Sequence, residues 1–407
     1  MKYYIIAGEK SGDLHASNLM KEIIKNDAAA DFRYWGGEEM QKVGGFMVKN
    51  YNQTAFMGFW EVIKNLRTIL GFITECKKDI LAYVPDVVIL IDYAGFNMRI
   101  AKFCKQKHFL NFYYISPKVW AWNTNRAKTL KKIVDKMYVI FPFEVSFFEK
   151  FDYKVFFVGN PLLDAIANYK KNDNFLVDNQ LDKYLVNQSD IPKKIIAILP
   201  GSRKQEIANM LNTMLLVAQK NPQFLFVVAG ISNLPNEYYS SINAGINAGI
   251  NAQNNIKIVY DQTYDLLSHA HSAMVTSGTA TLETAIFGVP QVVCYKMSGF
   301  TFAIIKRLIK IPYISLVNLI LEKKAVEELI QDNFNEKSLS EELLKISENG
   351  NIMGEKRVQM LLDCQILKEK LGTSGASEKT AKLMNEHLLE NIKKLSTRMK
   401  LPKGKHL

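Results

Sequence analysis

The chain contains little of what marks several common classes of protein. Its four cysteines lie far apart and form no Cys-x-x-Cys pair, so neither a disulfide framework nor a zinc site is indicated. No apolar run approaches the roughly 18 residues that span a bilayer, and the chain enters a predicted strand at Lys2 without a signal peptide. We therefore expect a protein of the reducing cytoplasm that meets a membrane only at its surface.

The chain has fewer acidic residues than basic ones. The 407 residues include 52 lysines and arginines against 40 aspartates and glutamates, which gives a formal net charge of +12. This balance favours an anionic partner, such as nucleic acid, anionic lipid or a phosphorylated substrate. The sequence has no zinc-finger spacing, no aromatic RNP-type strand and no arginine-rich run, so a nucleic-acid partner is not expected.

The sequence does contain two series of short apolar strands that alternate with helices. The first occupies residues 1–167 and the second 195–375, and the polar, Asn- and Lys-rich stretch 168–194 is predicted to be a linker. Such alternation predicts two Rossmann-like, doubly wound α/β domains with a ligand cleft between them. Residues 376–407 are expected to form a C-terminal helix and a basic tail, and packing back on the first domain is one of two alternatives for it.

A glycine-containing loop follows the first predicted strand and precedes a helix predicted to begin near Leu14. Glycines let the backbone approach a ligand, and a helix N-terminus offers unpaired N–H groups to an anion. The loop is not Gly-x-Gly-x-x-Gly, so a dinucleotide is not favoured, and a tight turn capped by Ser11 or Asp13 is an equal alternative. The candidate substrate-binding residues here are Gly8, Glu9, Ser11, Gly12 and Asp13.

Two strand ends in the second domain repeat this pattern. Gly278 and Thr279 are predicted to begin a helix where a diphosphate can rest, and Glu283 lies one turn farther along on the same face. Its carboxylate could accept both ribose hydroxyls of a nucleotide, and Arg203 could neutralise a departing nucleoside diphosphate. The alternatives are a solvated helix residue for Glu283 and a surface ion pair for Arg203. The candidate substrate-binding residues here are Arg203, Ser277, Gly278, Thr279, Ala280 and Glu283.

Asp92 ends a predicted buried strand, DVVILID. A carboxylate at the carboxyl end of a strand points towards the ligand, where it could accept the proton of an attacking hydroxyl as general base. An N-cap for the helix predicted to start near Phe96 is an equal alternative, and His15 is a second possible base. No metal site is predicted, because His269 and His271 are two apart on a predicted helix and face different ways.

The stretch 56–73, FMGFWEVIKNLRTILGFI, has one apolar stripe at helical spacing and further apolar residues off it. A second apolar face beside Lys64 and Arg67 is typical of a helix that lies in a bilayer interface. A fully buried helix or a homodimer contact is the alternative. The residues predicted to contact the membrane are Phe56, Met57, Trp60 and Phe72.

Several stretches, in their order along residues 1–335, resemble the lipid-A-disaccharide synthase family. They are AGEKSGDLHAS (7–17), MGFWEV (57–62), PDVVILIDYAGFNMR (85–99), ISPKVWAWNTNR (115–126), FPFE (141–144), VGNPLLD (158–164), LPGSRKQEI (199–207), TSGTATLETAIFGVPQVVCYK (276–296) and YISLVNLI (313–320).

The resemblance implies a GT-B glycosyltransferase that works with inversion and without a cofactor. It implies UDP-2,3-diacylglucosamine as donor, 2,3-diacylglucosamine 1-phosphate as acceptor, a β-1,6-linked product, and peripheral association with the inner membrane. The family's aspartate, phosphate-facing arginine and ribose-binding glutamate match Asp92, Arg203 and Glu283. Its later polar cluster near the nucleotide matches Asn318, Glu328 and Gln331.

Two alternatives remain open from the residues themselves. One is another GT-B enzyme for a UDP-sugar, such as a lipid-linked N-acetylglucosaminyltransferase or an epimerase. The other is a non-catalytic protein that binds a sugar nucleotide or a lipid. Turnover of acylated substrates discriminates among the three.

Overall fold

The structure is a computed structural model that describes residues 1–53, 66–185, 192–232, 234, 237–239, 255–297, 299, 302, 311–347 and 351–400. Side chains within these ranges are described except at 66, 122, 351–353, 395 and 398–400. The chain forms two compact units. The first unit is Met1–Ala167 with Gly372–Leu407, and the second unit is Asn168–Leu371.

The described residues of the first unit contain a seven-stranded sheet. Its strands are β1 (Lys2–Ala7), β2 (Asp31–Gly36), β3 (Phe46–Asn50), β4 (Val87–Ile91), β5 (Asn111–Tyr114), β6 (Lys136–Val139) and β7 (Phe156–Phe157). Their order is β3-β2-β1-β4-β5-β6-β7, and all pairings are parallel. The strand order therefore reverses direction between β1 and β4.

The helices of the first unit connect these strands or follow them. They are α1 (Lys10–Asn26), α2 (Glu38–Val43), α3 (Leu66–Tyr83), α4 (Ala94–Gln106), α5 (Val119–Trp122), α6 (Arg126–Ile133), α7 (Pro142–Glu149) and α8 (Pro161–Ala167), with a 3₁₀ turn at Tyr51–Gln53. Helix α1 begins at Lys10, earlier than the predicted start near Leu14, so Ser11 and Asp13 lie inside the helix and do not cap it.

The second unit has a six-stranded sheet in its described residues. Its strands are β8 (Ile195–Leu199), β9 (Leu225–Gly230), β10 (Ile256–Tyr260), β11 (Ser272–Thr276), β12 (Gln291–Tyr295) and β13 (Glu327–Ile330). Their order is β10-β9-β8-β11-β12-β13, again with parallel pairings. Here the order reverses between β8 and β11. The prediction of two doubly wound α/β units is confirmed.

Helices also surround the second sheet. They are α9 (Phe175–Asp178), α10 (Asp182–Leu185), α11 (Lys204–Lys220), α12 (Thr263–His269), α13 (Thr279–Ile286), α14 (Leu316–Leu321), α15 (Glu336–Ser347) and α16 (Asn351–Leu371), with a 3₁₀ turn at Gln331–Asn333. Helices α9 and α10 lie in the stretch predicted to be a linker. Phe175 and Leu181 from this stretch are buried in the core of the second unit, so these residues pack as part of it.

The final helix, α17 (Ala376–Lys400), belongs to the first unit. It packs on α1, and the carboxylate of Asp164 accepts hydrogen bonds from the N–H groups of Gly375, Ala376 and Ser377 at its N-terminus. Farther along, the imidazole of His387 bonds to the hydroxyl of Tyr138 on β6.

Apolar runs explain why the central strands form where they do. Every residue of β4 (VVILI) and β8 (IIAIL) is buried, as expected for parallel strands that helices cover on both faces. Ligands of open α/β sheets bind beyond the carboxyl ends of the strands, at the point where the strand order reverses. The loops that follow β1, β4, β8 and β11 are therefore the places to look for a site.

Candidate functional site

Strand β4 ends in a strained turn that carries Asp92. Asp92 and Tyr93 have φ angles of 45° and 46°, so two consecutive non-glycine residues adopt the left-handed conformation. Each such residue costs about 1–3 kcal/mol and persists only where its surroundings hold it in place. Tyr93 is the N-cap residue of α4, so the alternative role of Asp92 as N-cap is wrong.

Two side chains hold the main-chain carbonyl of Asp92. The amide Nδ2 of Asn97 donates to it over 2.9 Å, and the hydroxyl of Tyr113 donates to it as well. The N–H of Asp92 donates to the carbonyl of Tyr114 over 3.1 Å. The backbone of Asp92 is thus fixed on both sides, while its side chain is half-buried.

Asn97 is a residue that sequence reasoning missed. It is fully buried on α4, and its Nδ2 also lies 3.2 Å from the carbonyl oxygen of Ile91 and 3.5 Å from that of Ile6. It therefore ties together the carboxyl ends of the adjacent strands β1 and β4. A signal was present in the sequence, because Asn97 is a polar residue at helical spacing with the apolar residues Ile100, Ala101 and Cys104.

The loop after β1 lies against the same turn. A Cβ atom added to Gly8 would lie 2.2 Å from Cγ of Tyr93, so the ring of Tyr93 occupies the space that a side chain would need. The ring stacks on Phe96, with 5.2 Å between ring centroids. The structure thus brings together Gly8 and Asp92, which sequence reasoning had named separately.

The other candidates that follow β1, at the N-cap and in the first turn of α1, divide into buried and accessible residues. Asp13 is 2% exposed, and its carboxylate accepts N–H hydrogen bonds from Gly37, Glu39 and Met40 at 2.7, 2.9 and 3.2 Å. These bonds hold the start of α2, so Asp13 has a structural role, and its contact with substrate stays a prediction.

Gly12 is buried, and a Cβ atom there would make an ordinary contact of 3.4 Å with Cβ of Ala7 on β1. Glu9 and Ser11 are more accessible, and the hydroxyl of Ser11 donates to Oε1 of Glu9 over 3.3 Å. Burial lowers the pKa of the alternative base, His15, to about 4, against the opposing effect of the Asp164 charge. His15 is therefore neutral at physiological pH.

A buried carboxylate organises the loop after β5. Glu144 on α7 accepts hydrogen bonds from the hydroxyl of Ser116, from Nε1 of Trp120 and from the N–H groups of Ile140 and Phe141. Burial raises the pKa of Glu144 to about 7, although these hydrogen bonds act in the opposite direction. The family resemblance had matched the stretches ISPKVWAW and FPFE without assigning a role to this side chain.

In the second unit, the loop after β8 turns at Gly201. Its φ of +108° favours glycine, and a Cβ atom there would lie 2.8 Å from the side chain of Glu206. The guanidinium of Arg203 pairs with Oε1 of Glu206 at 3.5 Å and is 55% exposed. Exposed pairs of this kind contribute less than about 1 kcal/mol, so an anion can compete for the cation.

The loop after β11 leads into α13, whose N-cap is Gly278. No described atom lies within 4 Å of a Cβ atom added to Gly278, so there is room beside its backbone. Thr279, the first helical residue, is exposed, and Ala280 beside it is half-buried. Ser277 is anchored by the bond from its hydroxyl to the carbonyl of Ile314 at 3.0 Å. The first N–H groups of a helix have no intrahelical acceptor, so this end of α13 suits an anion.

Glu283 lies one turn farther along α13. Its carboxylate is half-buried and accepts a hydrogen bond from the hydroxyl of Tyr264 over 3.1 Å. Burial raises the pKa of Glu283, and the bond from Tyr264 acts in the opposite direction.

The polar cluster of the second unit is a scaffold. Asn318 is fully buried, and its Oδ1 accepts the N–H groups of Ala325 and Val326 at 2.8 and 2.9 Å. Its Nδ2 donates to the carbonyl of Val326 and to Oε1 of Glu328. The Asn318 amide is therefore satisfied at both ends within the chain, and its direct contact with the nucleotide stays a prediction.

Glu328 and Gln331 extend this scaffold. Glu328 accepts the N–H groups of Ile314 and Ser315, and Gln331 exchanges two hydrogen bonds with the backbone of Met297. Because Ile314 also accepts the hydroxyl of Ser277, the cluster holds the loop that precedes α13.

Of the residues predicted to contact a membrane, Phe56, Met57 and Trp60 lie outside the described residues. Phe72 is half-buried; its ring meets Trp35 edge-on at 6.3 Å, and Nζ of Lys49 lies 4.8 Å from its centroid. No helix within the described ranges is both long enough and apolar enough to cross a membrane. The described side chains also contain no cluster of three potential metal ligands.

Comparison with known proteins identifies the family. The family model described as lipid-A-disaccharide synthetase matches residues 3–384. Lipid-A-disaccharide synthase from Geobacter sulfurreducens is 33% identical over 95% of this chain and 97% of its own length. The enzyme of that name from Syntrophus aciditrophicus is 35% identical over 93% of this chain and 95% of its own length.

Among solved structures, UDP-GlcNAc 2-epimerase from Neisseria meningitidis, bound to UDP-GlcNAc, superposes with a TM-score of 0.63. It is 14% identical, and the match covers 96% of this chain and 100% of the epimerase, which shows a shared fold alone. That fold is GT-B. The chain belongs to the lipid-A-disaccharide synthase family, and it is a glycosyltransferase of lipid A disaccharide synthesis.

Proposed function

We propose that this enzyme transfers a 2,3-diacylglucosamine unit from UDP to the 6-hydroxyl of 2,3-diacylglucosamine 1-phosphate. A single displacement inverts the anomeric carbon, gives the β-1,6-linked disaccharide 1-phosphate and releases UDP. Its membership of the family supports the reaction class. The observation that carries the assignment of the base is the strained turn at Asp92.

Asp92 is proposed to accept the proton of the attacking hydroxyl. Residues with strained backbone are found more often at active sites, where the strain presents a side chain in a geometry that relaxed backbone does not offer. Asp92 is such a residue. The strain at Asp92 is held by bonds to its own carbonyl from Asn97 and Tyr113, which fix the backbone that carries the carboxylate. Its place at the reversal of strand order, beyond the end of β4, agrees with this role.

The second unit is proposed to bind the nucleotide. The N-terminus of α13 and the guanidinium of Arg203 stabilise the charge that develops on the departing diphosphate. Support comes from the open space at Gly278 and from the weak, exposed pairing of Arg203 with Glu206. Glu283 is proposed to accept the ribose hydroxyls, and Ser277, Thr279 and Ala280 to surround the phosphates.

Acylated substrates require access to a lipid surface. We propose that Phe56, Met57, Trp60 and Phe72 contact the cytoplasmic face of the inner membrane, with support from the net charge of +12, which favours anionic lipid. Glu9 and Ser11 are proposed to contact the acceptor side, because both are accessible, at the N-cap and in the first turn of α1, close to the Asp92 turn.

Replacement of Asp92 by Asn tests the base. Turnover is expected to fall by about two to four orders of magnitude, the usual contribution of a general base. UDP affinity should be unchanged, because Asp92 belongs to the first unit and the nucleotide residues to the second. The reaction is followed by mass spectrometry of the product formed from the two diacylglucosamine substrates.

Asp152→Asn is a matched control. Asp152 is an exposed aspartate of the first unit with a φ of 50°, so the same exchange has the same backbone effect there without touching Asp92. We expect turnover like that of the wild type in this control. Near-normal turnover in Asp92→Asn would exclude Asp92 as the base, and absence of a disaccharide from the wild-type enzyme would refute the reaction itself.

A further inference from the structure

The carboxylate of Glu283 has one partner within the described part of the chain. The hydroxyl of Tyr264 donates to Oε1 of Glu283 over 3.1 Å, and no other described donor bonds to this carboxylate. An ionised carboxylate has about four acceptor positions, so one is taken and the others remain for a ligand. The hydrogen bond from Tyr264 fixes the orientation of the carboxylate, and with it the directions of the remaining acceptor positions.

Tyr264 is itself held firmly. It is the second residue of α12, and its ring packs against Tyr169 edge-on at 5.5 Å and against Phe287 at 5.3 Å. The hydroxyl of Tyr169 donates to Asp265, whose carboxylate also accepts the N–H of Asn172 over 2.9 Å. Tyr169 and Phe287 also contact each other, with 6.0 Å between ring centroids, so the three rings form one cluster that holds Tyr264 with its hydroxyl bonded to Glu283.

We infer that Tyr264 is a positioning residue for nucleotide recognition, which orients the Glu283 carboxylate towards the two ribose hydroxyls and so favours ribonucleotides over deoxyribonucleotides. This inference rests on the proposed role of Glu283. Two hydroxyl donors from a ribose need two acceptor positions at a fixed angle. A carboxylate free to rotate would lose rotational freedom when it binds them, whereas one already held by Tyr264 does not.

The hydrogen bond also keeps Glu283 in the form that can accept. Burial raises the pKa of Glu283, whereas the bond from Tyr264 lowers it. Burial and the charge of Glu283 raise the pKa of Tyr264, so its hydroxyl remains a donor throughout the ordinary pH range. Among the described residues, Tyr264 is the only titratable group that acts on Glu283. Loss of this bond must therefore move the protonation of Glu283 to higher pH.

The experiment compares the affinities of UDP and 2′,3′-dideoxy-UDP by calorimetry from pH 5 to pH 8, in wild type and in Tyr264→Phe. The ratio of the two affinities isolates the ribose, because the phosphates titrate in both ligands. We expect wild type to prefer UDP by roughly 10- to 100-fold at pH 7, as hydrogen bonds to a charged group do. This preference should vanish at low pH, as Glu283 is protonated.

In Tyr264→Phe, the preference for UDP at pH 7 should fall by about 3- to 10-fold, and the pH at which it is half lost should rise. Phenylalanine keeps the ring and its contacts with Tyr169 and Phe287, so the fold should be preserved. Tyr169→Phe is the matched control, since it removes a hydroxyl from the same cluster that bonds to Asp265 and not to Glu283. Its preference for UDP should equal that of the wild type.

Two further variants show whether Tyr264 acts through Glu283. In Glu283→Gln the preference should be small, and adding Tyr264→Phe to it should change the ratio no further. A wild-type ratio near one at every pH would overturn the ribose role of Glu283 and with it this inference. A wild-type preference that Tyr264→Phe retains in full, or equal losses of affinity for both ligands in that variant, would overturn the inference about Tyr264 alone.

Discussion

Gly8→Ala should disturb the turn at Asp92 through the ring of Tyr93. The added Cβ atom would lie 2.2 Å from Cγ and 2.4 Å from both Cδ atoms of that ring. Carbon atoms in contact normally stay about 3.5–4.0 Å apart, so the ring must retreat by more than an ångström. The ring cannot move without losing packing contacts, because it stacks on Phe96, which in turn packs against Trp35 with 5.4 Å between ring centroids.

The expected magnitude follows from this crowding. Overpacking of a well-filled site costs about 1–3 kcal/mol, which should lower the urea midpoint of the first unit. Tyr93 is the left-handed neighbour of Asp92, so we expect turnover to fall by about 10- to 100-fold from misplacement of the carboxylate. UDP affinity should not change, because the nucleotide residues belong to the second unit.

Gly12→Ala provides the control for stability. Its Cβ atom would meet Cβ of Ala7 at 3.4 Å, an ordinary contact, and alanine is preferred to glycine inside a helix by about 0.5–1 kcal/mol. The same substitution a turn away should therefore be neutral or stabilising. A Gly8→Ala enzyme with the wild-type urea midpoint and turnover would show that the ring of Tyr93 can move at no cost in stability. The ring would then not fix the Asp92 turn.

Two other substitutions test the buried acid and the open glycine. Burial raises the pKa of Glu144 from 4.5 to about 7, so between these pH values the native state holds a proton that the unfolded chain has released. The free energy of unfolding should therefore fall by up to about 3 kcal/mol as pH rises from 4.5 to 7. Unfolding of Glu144→Gln in urea across this range should lack that slope, and equal slopes in both proteins would contradict the assignment. Gly278→Ala should change stability by less than about 0.5 kcal/mol, because its backbone is extended and no described atom lies near the new Cβ. It should weaken UDP binding by about tenfold if phosphate lies against this glycine, and unchanged calorimetric affinity would place the phosphate elsewhere.

The fold was predictable because its signals are local. Continuous apolar runs such as those of β4 and β8 identify strands buried on both faces, and the helices between them identify parallel connections. The same reasoning placed Asp92 and Gly278 at strand ends. It could not show that Asp92 is left-handed, because aspartate at the end of a strand is also a good N-cap, and only the backbone angles separate the two roles.

The polar cluster shows where such reasoning stops. Asn318 and Glu328 became ligand candidates only through the family resemblance, which does not show what their side chains bond to within the chain. Whether the hydrogen bonds of a side chain are satisfied within the chain depends on how the backbone folds around it, and Oδ1 of Asn318 accepts the N–H groups of Ala325 and Val326. Asp13 is similar, because its three partners lie at the N-cap and in the first turn of α2, more than twenty residues away.

Gly8 and Gly278 separate two uses of glycine that a sequence cannot distinguish. Each follows a parallel strand beside a reversal of strand order, and each was expected to let the backbone approach a ligand. At Gly8 the protein itself has filled the space with the ring of Tyr93, so this glycine serves the shape of the Asp92 turn. At Gly278 the described residues leave the space open at the start of a helix, where an anion gains most. The first glycine is thus required by the fold, and the second has room for a ligand.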